Sequence, residues 1–133
     1  MVPLLVEQEA SPRVAAWLLE DDVIALWTLT PVEVVSAFRR LVREQALSES
    51  DAALAENRLA DLARTAILVT DVEPVKLLGM RLLRLHALRA FDALQLAAAI
   101  HWAEGHPQGR TLYTLDRQLG LAAQREGFVV PLV

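Results

Sequence analysis

Between Leu88 and Ile100 the chain reads LRAFDALQLAAAI, a run of good helix formers carrying one carboxylate, Asp92, near its start. Apolar residues flank that acid on almost every side of the helix. A helix apolar all round is normally buried. A charge on such a helix is costly unless a partner pairs with it or a cation is coordinated by it. This stretch therefore requires a surrounding core and a compensating group for Asp92.

The remaining chain is consistent with such a core. Its 133 residues correspond to one domain, and 54% of them are hydrophobic, which excludes general disorder. There is no cysteine, so disulfides, thiolate catalysis and cysteine-ligated zinc are all excluded. No apolar run reaches the roughly 18 residues of a membrane-spanning helix. The first residues do not form a secretory signal. A soluble, cytoplasmic protein with no membrane partner is expected. The net charge of -4 argues against broad non-specific nucleic-acid binding. It remains compatible with a nuclease, whose metal site concentrates acids while local arginines hold phosphate.

Helical and strand-like segments alternate. Met1–Glu7 reads as the end of an apolar helix. Ser11-Pro12 opens a helix running to Glu20, with serine as cap and proline in the first turn. Val23–Trp27 (VIALW) is expected to be a buried strand. Thr30-Pro31-Val32-Glu33 opens the next helix, with a capping threonine and an acid three residues later. Ser48–Ala63 is a further helix with the same capping pattern at Ser48 and Asp51, and the two are expected to form a hairpin. Ala66–Thr70 is a second strand. Pro74–His86 is a helix with Val75, Leu78, Leu82 and Leu85 along one stripe. The Asp92 helix follows and ends near Gly105. Thr111–Leu115 is a third strand, Asp116 caps a last helix, and Phe128–Pro131 is a final strand. This order predicts an α/β layer fold with a mainly parallel sheet.

Ligands in open α/β sheets bind beyond the carboxyl ends of the strands. Glu33, Asp92 and Asp116 are all expected at that edge. Carboxylates brought together repel unless one stays protonated, and a divalent cation removes the conflict. Hard oxygen ligands without histidine or cysteine suit Mg2+ or Mn2+. Such an ion supports phosphodiester hydrolysis. Each acid also has a structural reading: Glu33 in a capping box, Asp116 as a helix cap, and Asp92 as a surface ion pair with Arg89. Thr114 is a candidate to hydrogen-bond Asp116 or a metal-bound water, or else is simply a β-forming strand residue. Arg39, Arg40 and Arg43 are either a solvated helix face or RNA contacts. His86, His101 and His106 lack metal-ligand spacing and are read as structural or surface residues. Trp17, Trp27 and Trp102 are read as core or interface residues.

Three of these stretches resemble segments of PIN domains, in particular the VapC-type toxins of bacterial toxin–antitoxin pairs. Thr30-Pro31-Val32-Glu33, continuing to Phe38-Arg39-Arg40, resembles the segment with the second family acid. Leu88-Arg89-Ala90-Phe91-Asp92-Ala93-Leu94-Gln95-Leu96-Ala97 resembles the third and is the most specific. Thr114-Leu115-Asp116-Arg117-Gln118-Leu119, followed by Ala122-Ala123 and Gly127, resembles the fourth. The resemblance implies a three-layer α/β/α fold and a magnesium-dependent endoribonuclease in which Glu33, Asp92 and Asp116 bind metal. It also implies a homodimer and a cognate antitoxin that holds the enzyme inactive.

The family pattern opens with a strand ending in a first catalytic aspartate. Met1–Glu7 resembles the helix that follows that strand, and Glu7 and Glu9 come too late to replace the aspartate. The chain is therefore expected to be an N-terminally truncated PIN-like domain, either because its start codon is misassigned, which is the preferred explanation, or because it is an inactive remnant. The DNA upstream of Met1 decides between them. The competing functional class is a catalytically inactive binding or dimerisation module. A phosphoacceptor receiver domain is disfavoured, since there is no acid pair after the first strand and no lysine after the last.

Overall fold

The computed structural model describes residues 24–131. The segments expected at Met1–Glu7 and Ser11–Glu20, together with Trp17 and Val23, lie outside the described residues. The described chain is mixed α/β, with two short parallel strands and five helices. In order these are β1 (Ala25–Trp27), α1 (Thr30–Arg43), α2 (Glu49–Thr65), β2 (Ile67–Val69), α3 (Val72–Leu85), α4 (Ala90–Trp102) and α5 (Arg117–Glu126). No described helix is long and apolar enough to cross a membrane. The described residues fall into two compact units, one comprising Ile24 with Thr28–Leu68, the other Ala25–Trp27 with residues 69–131.

In the described part of the first unit, α1 and α2 pack together as a helical hairpin. Val34 and Phe38 of α1 pack with Ala55 and Leu59 of α2, and Val35 and Leu47 close the cluster. These positions recur at helical spacing, so one face of each helix is apolar. The start of α1 differs from expectation. Leu29 is the N-cap and no side chain caps it. Thr30 is instead the first helical residue and is buried, with Pro31 following in the first turn. Glu33 is thereby one position beyond the place a capping box requires. The box at Thr30 and Glu33 does not form.

The start of α2 follows expectation: Ser48 accepts a hydrogen bond from the Asp51 backbone N–H at 3.1 Å. Replacing Ser48 by alanine is expected to destabilise the hairpin by about 1 kcal/mol, the usual contribution of such a cap, as read by urea denaturation.

In the second unit α4 is the central element, packed against α3, β1 and α5. Ala93, Leu96, Ala97, Ala98 and Ile100 are all buried, so its sides are covered as the apolar sequence demands. Val75 and Leu82 of α3, Trp27 of β1, and Leu119 and Ala123 of α5 belong to the same core. Gly79 of α3 is buried against α4, facing Leu94. Leu85, expected in the α3 stripe, is exposed. It is the last helical residue, beyond the reach of the packed face.

The two expected C-terminal strands are reduced to a single parallel bridge between Thr111 and Val129. Leu112 N–H donates to the Val129 carbonyl at 2.9 Å, and Val129 N–H donates to the Arg110 carbonyl at 2.8 Å. Three local features stop the ladder. Pro131 has no N–H to donate. Gly127, at φ 111°, turns the chain out of α5 just before the bridge. On the other side the Thr114 hydroxyl is engaged by the Asp116 N–H at 3.0 Å, a local turn that competes with extended pairing. Asp116 therefore follows an irregular segment, not a regular strand.

Candidate functional site

Asp92 lies at the third position of α4, whose N-cap is Arg89. Its carboxylate accepts the Arg89 backbone N–H, as acids at this position do. The side chain is only 9% exposed. Asp116 is the N-cap of α5, and its Oδ1 accepts the Leu119 N–H at 2.9 Å. The Thr114 hydroxyl holds the Asp116 backbone from the other side, so its predicted supporting role takes the form of a main-chain contact. With Oδ1 committed to the helix, Oδ2 is the oxygen that faces Arg89, 3.9 Å from Nη2. Arg89 Nε is 3.5 Å from Asp92 Oδ2. One guanidinium thus stands against both carboxylates. Together with Ala87, Leu88 and Gln118 these residues line an open cleft of about 480 Å3.

The electrostatics follow from this geometry. The Asp92 carboxyl is raised above its ordinary value, first by burial and next by the negative charge of Asp116. Arg89 opposes the shift without cancelling it. The positive dipole ends of α4 and α5 also face this region, because each acid sits at a helix start. Replacing Asp116 by asparagine keeps the cap oxygen but removes the charge. The Asp92 carboxyl is then expected to move back toward the ordinary range, which a carbon-detected NMR titration of its carboxyl reads directly. Asp116→Ala additionally loses the cap and is expected to cost about 1 kcal/mol.

The chemistry of the donor set suits a hard divalent cation. Mg2+ keeps several waters and is commonly held by one or two carboxylates. Asp92 and Asp116 supply that number, and the burial that disfavours the Asp92 anion is what a cation would offset. Among the described residues, no three or more His, Cys, Asp or Glu side chains are grouped to hold a metal ion.

The other sequence candidates are placed as follows. Glu33 is half-buried in the first turn of α1, in the first unit, whereas Asp92 and Asp116 belong to the second. Arg39 makes a two-pronged ion pair with Glu49, at 2.9 and 2.7 Å. Arg40 and Arg43 lie on the last turn of α1, where positive charge suits the helix dipole. His86 is structural, as expected: its Nε2 meets Glu126 Oε2 at 2.8 Å, and Arg81 reaches the other oxygen at 2.9 Å. His101 pairs with Asp71 at 2.7 Å. Trp27 is core, while Trp102 is partly exposed beneath the Arg110 guanidinium.

Two residues of the cleft carried little signal in the sequence. The spacing of Arg89 and Asp92 indicates a pair one turn apart, but not that the same guanidinium reaches Asp116. Gln118 has no motif value and enters because α5 begins where it does. Neither models of known protein families nor curated proteins give a match to this chain.

Proposed function

We propose that this chain is a metal-dependent endoribonuclease with a PIN-like three-layer architecture, serving as the toxin of a type II toxin–antitoxin pair. The observation that carries the reading is the buried Asp92 carboxylate facing Asp116 in an open cleft at two helix starts. Two carboxylates brought together at one site repel, and a divalent cation between them removes that conflict. Asp92 and Asp116 would hold Mg2+ or Mn2+ there. The chemistry such an ion supplies is acidification of a water and neutralisation of charge on a scissile phosphate. Burial keeps the Asp92 carboxylate away from bulk water, and the α5 cap keeps Asp116 Oδ2 turned toward the cleft. Glu33 enters this reading only through the sequence resemblance, as do the cognate antitoxin and the homodimer.

The test is cleavage of single-stranded RNA by the purified chain with Mg2+ and with chelator. Cleavage that appears with Mg2+ and stops with chelator supports the proposal; cleavage that is equal in both removes it. A second reading, a PIN-like binding and dimerisation module without catalysis, is favoured by the exposed Leu77, Met80 and Leu83 of α3. A dimer by sedimentation that never cleaves RNA would select it.

A further inference from the structure

Arg89 is unusual among the ion-paired arginines of the second unit. Its backbone is anchored, because its N–H is bound by the Asp92 carboxylate and its carbonyl accepts the Ala93 N–H at 3.0 Å. Its side chain is 82% exposed and stands 3.5 Å and 3.9 Å from the two acids. Well-formed charge-assisted hydrogen bonds are about 2.7–2.9 Å long. Arg81 makes one, at 2.9 Å from Glu126. Arg89 is therefore drawn to both carboxylates, more closely to Asp92, with neither contact as short as the Arg81 pair. It lies at the mouth of a cleft lined by Leu88 and Gln118 as well as the acids.

We propose that Arg89 is the cleft's own counter-cation and its phosphate-binding arm. With no divalent cation bound, the guanidinium neutralises Asp92 and Asp116. When a divalent cation takes that position, like charges repel and the side chain swings outward on its fixed backbone. A guanidinium presents paired N–H donors that match two oxygens of a phosphate, and this geometry favours it over lysine. The freed arm then holds an RNA phosphate beside the acids. This inference rests on the nuclease reading for its ligand, but its first half concerns cation binding alone.

The variants are Arg89→Gln and Arg89→Lys. Folding is not at risk, since the side chain is exposed and any residue but proline keeps the backbone contacts. Mn2+ binding without RNA is measured by electron paramagnetic resonance. Arg89→Gln is expected to bind Mn2+ several-fold more tightly than the unmodified chain, because the competing charge is gone. Unchanged or weaker Mn2+ binding overturns the counter-cation role.

Binding of a short single-stranded oligoribonucleotide is then measured by anisotropy with Ca2+ present. Arg89→Gln is expected to bind less tightly and to lower the slope of log affinity against log salt by roughly 0.7, the value for one phosphate contact on a single strand. Arg89→Lys should keep the salt slope but lose affinity. An unchanged slope in Arg89→Gln overturns the phosphate role. RNA cleavage by the unmodified chain that persists in chelator while the Mn2+ result holds would reject the metal-dependent nuclease reading and leave the counter-cation role standing.

Discussion

Asp92→Asn is expected to abolish cleavage without unfolding the protein. Asparagine keeps an acceptor oxygen for the Arg89 N–H, so the start of α4 is preserved. It removes the negative charge that would hold the cation. A loss of about a hundredfold or more is expected, the scale found when a charge-stabilising group is deleted from an active site. Stability should move in the opposite direction. The folded-state Asp92 carboxyl is raised, mainly by burial and then by Asp116, so the folded chain binds this proton more tightly than the unfolded chain. Its stabilising effect is complete below the ordinary value of 3.8 and is lost as pH rises through the raised value. At neutral pH the charged acid is a burden that asparagine lacks. The variant should therefore melt at the same temperature as the unmodified chain or higher at pH 7, with the difference vanishing at pH 3. A clear drop in melting temperature at pH 7 would make Asp92 a structural acid. An inactive variant of unreduced stability is the usual mark of a functional group kept at some cost to the fold.

Phe38→Ala should give the largest stability loss in the first unit. Phe38 is fully buried and is the largest side chain of a small cluster with Val34, Ala55 and Leu59. Truncating a buried phenylalanine costs about 3–5 kcal/mol through lost transfer free energy and the cavity left behind. Denaturant unfolding should show the loss, and hydrogen exchange should show amides of α1 and α2 losing protection. Val32→Ala, on the exposed side of the same helix, is the control and should stay within about 0.5 kcal/mol. Equal effects of the two substitutions would show that the Phe38 cluster does not hold the hairpin together.

The helices were largely legible because their signals are local. Ser48 with Asp51, Asp116 before α5, and Gly127 after it mark helix ends through hydrogen bonds spanning three or four residues. The apolar run after Asp92 likewise announces a buried helix by itself. The strands were less legible. Alternation in TLYTL states that a segment is able to pair, but pairing also needs a partner of matching length. Pro131 and the Thr114 turn leave only one bridge. At α1 the capping pattern was present, yet Thr30 is drawn into the helix and buried, and the cap falls to Leu29.

The sequence alone pointed to a buried Asp92, because apolar residues surround it on its helix, but it left a surface ion pair with Arg89 open. It also determined that Asp116 would cap a helix. Only the tertiary structure decided that these two acids share one cleft and one guanidinium, with Glu33 belonging to a different compact unit. Helix caps and apolar faces are set by neighbours along the chain. The approach of two carboxylates is set by how α3, α4 and α5 pack, and that depends on side chains far from either acid.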